Sequence, residues 1–137
     1  MEINGIAHTF LSVGDFHTAR VFYGQLLPFL GLQPVLDDEG IYYCVGGKTA
    51  VGIRASDRQD RQNRFDQQSS GLHHLCFRVR ERQDVDELYR FLQSLDAHIV
   101  HPPREDGWAP GYYSVLFEDP EGIRLEANFV PGKGLLS

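Results

Sequence analysis

Apolar and polar positions alternate from Ile6 to Val13, the pattern of a strand buried on one face. The spacing then changes. In DFHTARVFYGQLLPFLG, Phe16, Ala19, Phe22, Tyr23, Leu26, Leu27 and Leu30 recur at roughly helical intervals, which predicts an amphipathic helix with Asp15 as its N-cap. Pro28 is expected to kink or end that helix, and Gly31 to stop it. Short strand patterns follow at 33–36, 41–45 and 48–54, separated by the turn-forming DDEG and GG. SDRQDRQNRFDQQSSG interrupts the series as a polar, glutamine-rich stretch. After it the order restarts. A strand is predicted over 72–79 and a helix over 84–95 with Val85, Leu88, Leu92 and Leu95 inward. Strands over 97–101, 112–118 and 123–129 follow, with WAPG and EDPEG as breaks.

Each half therefore reads β-α-β-β-β, an internal repeat visible in order rather than in residue identity. One helix leaves a face of such a sheet uncovered, so two units are expected to assemble around it. The predicted fold class is α+β: paired β-α-β-β-β modules whose mixed sheets curve around a central cup. The predicted boundaries are one domain over 1–137, with an N-terminal module at 5–55, a polar linker at 56–70 and a C-terminal module at 71–130.

Composition narrows the partners. The net charge is −6, and the 13 basic residues are nearly all arginine. An acidic balance argues against a nucleic-acid partner. The arginines between Arg54 and Arg64 can attract a small anion, although interleaved aspartates and glutamines favour an exposed linker there. Cys44 and Cys76 form no CxxC pair and are expected to be reduced and buried. No apolar run is long enough to span a bilayer or resembles a leader, so a cytoplasmic location without a membrane partner is expected.

Strand parity singles out chemistry. With Leu75 and Phe77 beneath a helix, His74 falls on the opposite face and His73 on the helix side. Matching this strand to Thr9, Leu11 and Val13 gives His8 the position of His74. In the last strand Ile123, Leu125, Ala127 and Phe129 form the apolar face, which leaves Glu126 opposite. Two imidazoles and a carboxylate suit a borderline divalent cation, with positions left for water or substrate. HPPREDGWAPGYYSV offers rim groups: Trp108 to cover a substrate, Arg104 to meet a carboxylate or phosphate, and Tyr112 or Tyr113 to hydrogen-bond it or move a proton. GxxxxGK[ST] and a serine nucleophile elbow are both missing.

GIAHTFLSV, GLHHLCFRV and FEDPEGIRLEANF together resemble the vicinal oxygen chelate superfamily, which includes glyoxalase I, extradiol dioxygenases, methylmalonyl-CoA epimerase and bleomycin-resistance proteins. The resemblance runs almost end to end. It implies metal ligands at His8, His74 and Glu126, and one divalent ion per site (iron, manganese, zinc, nickel or cobalt). It also implies a small-molecule substrate and a homodimer, in some members with modules exchanged between chains. The chain departs from the four-ligand members, because Ala50, Val51 and Gly52 offer no fourth ligand. The resulting expectation is a metal-dependent enzyme with lyase- or isomerase-like chemistry. An extradiol-type dioxygenase or a non-catalytic sequestration protein is the alternative.

Overall fold

In this computed structural model, which describes residues 1–57 and 64–133, the chain divides into two units, Met1–Asn63 and Arg64–Ser137. The 58–63 part of the expected linker lies outside the described residues.

The first unit runs β1 (Thr9–Val13), α1 (Phe16–Phe29), β2 (Gln33–Asp38), β3 (Ile41–Gly46) and β4 (Thr49–Ala55). Its sheet has the order β1-β4-β3-β2, with β1 parallel to β4 and the other pairs antiparallel. Asp15 caps α1 as expected, accepting from the Thr18 backbone N–H at 3.2 Å and from its hydroxyl at 2.9 Å. Pro28 is tolerated because it falls in the last turn, where Gly31 at φ 86° closes the helix. Ala19, Phe22, Tyr23, Leu26 and Leu27 are buried against the sheet, together with Leu11, Val13, Tyr42, Cys44 and Ile53.

The second unit repeats the order with β5 (Leu75–Arg78), α2 (Arg82–Ser94), β6 (His98–Glu105), β7 (Tyr113–Glu118) and β8 (Arg124–Phe129), in the sheet order β5-β8-β7-β6. The helix begins two residues before the expected start, with the Asp84 carboxylate accepting from the Glu81 N–H at 2.9 Å. Val85, Leu88 and Leu92 are buried, as are Val115, Phe117, Leu125 and Ala127. Two mixed four-stranded sheets, each with one helix, make the α+β class and the repeated module order findings.

Two differences from the sequence pattern have physical causes. β6 continues through Pro102 and Pro103 to Glu105, a stretch expected to be loop. It is an edge strand whose register shifts around these prolines, and an edge can spare the missing N–H. β2, the corresponding edge in the first unit, likewise shifts register after Pro34. The second difference concerns the linker. Residues 64–70 belong to the second unit, where the Phe65 N–H bonds the Glu121 carbonyl at 2.9 Å and Arg64 reaches Glu118 at 3.6 Å. They dock beside the EDPEG turn, which Asp119 holds by accepting from the N–H groups of Glu121 (2.8 Å) and Ile123 (2.9 Å).

On the helix side both units carry the same clamp. Arg20 of α1 lies 3.9 Å over the Tyr42 ring and pairs with Asp37, the cross-strand neighbour of Tyr42, at 2.6 Å. Arg82 of α2 lies 3.6 Å over the Tyr113 ring and pairs with Glu105, the cross-strand neighbour of Tyr113, at 3.0 Å.

Candidate functional site

β5, β8, β7 and β6 turn one face to α2 and leave the other free. Parity along β8 sends Leu125 and Ala127 to the helix and Arg124, Glu126 and Asn128 to the free face. Parity along β7 does the same with Ser114 and Leu116. Cross-strand register orders these into rows. One row is Arg104, Ser114, Asn128 and Arg78; the next is His101, Leu116, Glu126 and Cys76.

Glu126 is the centre of this face. It is only 9% exposed, and a carboxylate taken that far from water needs partners. The Tyr112 hydroxyl donates to its Oε1, and the Nε2 of His74 stands 3.3 Å from its Oε2. Burial and the hydrogen bond to Glu126 hold the Tyr112 phenol well above its ordinary range, so it keeps its proton at neutral pH. Nδ1 of His74 meets Nδ1 of His73 at 2.8 Å, so one ring donates to the other. With His73 as acceptor, the Nε2 lone pair of His74 is directed toward the carboxylate side.

These groups line a cavity of 470 Å³ in the second unit, with His101, Arg104, Trp108, Ser114 and Gln67 around it. Trp108 is 77% exposed at its rim, and Arg104 pairs through Nε with Asp106 at 3.2 Å. Tyr112, Arg104 and Trp108 therefore share one cavity with His74 and Glu126. Tyr113 does not. Its hydroxyl donates to Asp86 on α2 at 2.5 Å, so the catalytic expectation for Tyr113 is corrected: β7 parity turns it to the helix face. The placement of His73 is also corrected. β5 begins at Leu75, so both histidines precede the strand and alternation does not separate them.

His8 lies in the first unit, one residue before β1, and is exposed. It stands edge-on to Phe10, at a centroid distance of 5.7 Å, and to Tyr43, at 6.3 Å. Phe10 and Tyr43 stack at 5.1 Å with ring planes 10° apart. They pass over Gly52, the register partner of Phe10 and Tyr43, where a Cβ would come within 2.5 Å of the Phe10 ring. Where the sequence lacks a fourth ligand, aromatic rings occupy the space.

Cys44 is buried as expected, but Cys76 is exposed on the free face of edge strand β5. Desolvation at the sheet floor, followed by the Glu126 charge, still pushes its thiol up to about 12. Within neither unit do three His, Cys, Asp or Glu side chains among the described residues gather as a metal-ready cluster. The pair His74–Glu126 nonetheless fits half of such a site. Two donors held about 2.0–2.2 Å from one ion stand about 3–3.5 Å apart.

A sequence model of the glyoxalase/bleomycin resistance protein/dioxygenase superfamily matches residues 5–127. The chain belongs to that superfamily. Solved structures with the same fold include a candidate glyoxalase from Bacillus halodurans, with 25% identity, a TM-score of 0.79, and 93% of this chain and 96% of that one covered. Lactoylglutathione lyase from Agrobacterium tumefaciens gives 23% identity and a TM-score of 0.71, with 94% and 96% covered. A glyoxalase-related enzyme from Fulvimarina pelagi gives 20% and 0.70, with 94% and 90% covered. No curated protein matches the chain. No helix among the described residues of this superfamily member is long and apolar enough to cross a membrane.

Proposed function

We propose that this glyoxalase-superfamily chain is a divalent-metal-dependent enzyme that transforms a small oxygenated molecule by lyase- or isomerase-like chemistry. The observation that carries it is the imidazole–carboxylate pair His74–Glu126, 3.3 Å apart on the wall of a 470 Å³ cavity. In this reading His74, Glu126 and His8 hold the ion, with His8 supplied by the same chain or by a second copy. Iron, manganese, zinc, nickel and cobalt all suit two imidazoles and a carboxylate. A bound divalent ion would supply charge stabilisation for an oxygen that becomes anionic during the reaction.

The chain's own residues do the remainder. Tyr112 orients the Glu126 carboxylate by donating to one oxygen, leaving the other on the His74 side. His73 fixes the His74 ring through Nδ1. Trp108, exposed at the rim, would cover a ligand and shed water from it. A cytoplasmic homodimer completes the proposal: Ile6, Phe10, Val35 and Leu36 are exposed apolar side chains that a second copy would cover.

A second reading has one observation in its favour. The stacked Phe10–Tyr43 pair suits capture of a planar small molecule without catalysis. Metal analysis of protein purified without added metal, with His8→Ala, His74→Ala and Glu126→Ala, separates the two. The enzyme reading expects about one ion per site and a drop in affinity on the order of tenfold or more for each variant. Unchanged stoichiometry and affinity in all three variants reject it. Oxygen consumption by the Fe(II)-loaded protein with a catechol panel would instead reassign the reaction to an extradiol-type dioxygenase.

A further inference from the structure

Among the described residues, two buried side-chain polar atoms have no hydrogen-bond partner, the Ser114 hydroxyl and the Gln67 carboxamide oxygen, both in the second unit. Both residues line the cavity that holds Glu126. Ser114 is only 1% exposed, and an unpaired buried hydroxyl is costly to a fold that gains nothing from it. Alanine would keep β7 without the cost of the unpaired hydroxyl. The arrangement makes sense when a ligand provides the missing partners.

Their neighbours say what kind of ligand. Ser114 sits between Arg104 on β6 and Asn128 on β8 in the cross-strand register. The Arg104 contact with Asp106 engages Nε rather than the terminal nitrogens of the fork. A guanidinium beside a hydroxyl receives an anionic oxygen group. The Gln67 oxygen can only accept, so it calls for a hydroxyl on the same molecule. Glu126 lies two residues along the sheet from the Asn128 row, about 6–7 Å away. That span fits a molecule of about three to five carbons.

We propose that this cavity is a subsite for a short hydroxycarboxylate, its carboxylate on Arg104 and Ser114 and its hydroxyl on Gln67, with the carbon next to these groups facing Glu126. This deepens the function proposed above by naming the substrate class. Its test does not need the ion. The orphan atoms and the register carry it; Arg104 alone, as a surface arginine, would not.

Trp108 is the single tryptophan of the chain and lines the cavity, so its fluorescence reports occupancy directly. The full-length protein is stripped with chelator and titrated with lactate, malate, acetate, inorganic phosphate and propanol. Saturable responses are expected to lactate and malate, weaker ones to acetate, which lacks the hydroxyl, and none to propanol. Ser114→Ala and Arg104→Gln should each weaken malate binding by about fivefold or more, and Gln67→Ala should erase the preference for lactate over acetate. Ser114→Ala should melt no lower than the parent without ligand, because it removes an unpaired hydroxyl. Affinity unchanged in Ser114→Ala, or a stronger saturable response to phosphate than to every hydroxyacid, overturns the proposal. So does a Ser114→Ala variant that melts earlier while binding malate normally. Metal titration of the same preparations scores the catalytic reading separately, and either result can fail without the other.

Discussion

The two halves of this chain share strand order, helix placement and even the arginine–tyrosine–carboxylate clamp on the helix side. They differ on the other face. In the first half that face carries a stacked Phe10–Tyr43 pair over Gly52, with His8 edge-on to it. In the second half it carries Glu126, Tyr112, His74, Cys76 and the unpaired Ser114. The helix face repeats because it solves one packing problem twice. The free face does not repeat, and there the halves have taken separate tasks: an apolar, aromatic surface in one, a hydrogen-bonded polar cavity in the other.

The largest effects should come from breaking what the halves share. Leu26 on α1 and Leu92 on α2 are both completely buried beneath their helices. Leu26→Ala and Leu92→Ala should each cost about 2–5 kcal/mol, measured by urea unfolding. A loss under about 1 kcal/mol in only one of them would mean that its helix does not support its sheet as the other does, and the equivalence of the two packing faces would go.

A smaller effect isolates the difference between the free faces. A Cβ at Gly52 would meet the Phe10 ring at 2.5 Å and the Tyr43 ring at 2.9 Å. Gly52→Val should therefore destabilise by overpacking, about 1–3 kcal/mol, and Phe10→Ala in that background should restore part of it. If Gly52→Val is as stable as the parent, the rings do not need that space and the aromatic surface is incidental.

What the sequence carried follows the same division. Periodicity marked the helix faces well, because Leu11, Val13, Leu125 and Ala127 are apolar and buried with period two, and Asp15 announces its cap chemically. Glu126 was legible for the same reason, lying inside a regular strand. The histidine pair was not, since alternation has no meaning for residues ahead of β5. Tyr112 and Tyr113 look interchangeable in sequence, and only the start of β7 at Tyr113 separates them. Ser114 and Gln67 gave no signal at all: a serine in a strand and a glutamine in a polar run are ordinary until the fold buries the hydroxyl of one and the carboxamide oxygen of the other without partners among the described residues. The polar run itself concealed residues 64–70, whose docking depends on the EDPEG turn far along the chain.

The smallest expected effect tests whether the shared clamp is electrostatic or merely steric. Arg20 donates to both Asp37 oxygens, at 2.8 and 2.6 Å, and this hydrogen bonding lowers the Asp37 carboxyl below its ordinary 3.8. A group depressed in the folded state stabilises above its unfolded value, and that contribution is lost as pH falls through the folded value. Asp37→Asn should thus be less stable than the parent at neutral pH, and the gap should close as the pH drops below about 4. Asp37 is exposed and Arg20 only half-buried, so the gap is small and should shrink further in high salt. Thermal melts of both proteins between pH 2.5 and 7, at low and high salt, measure it. A gap that persists unchanged into acid would assign the clamp to the packing of Arg20 on the Tyr42 ring, and the resemblance between the two helix faces would then be one of shape rather than of charge.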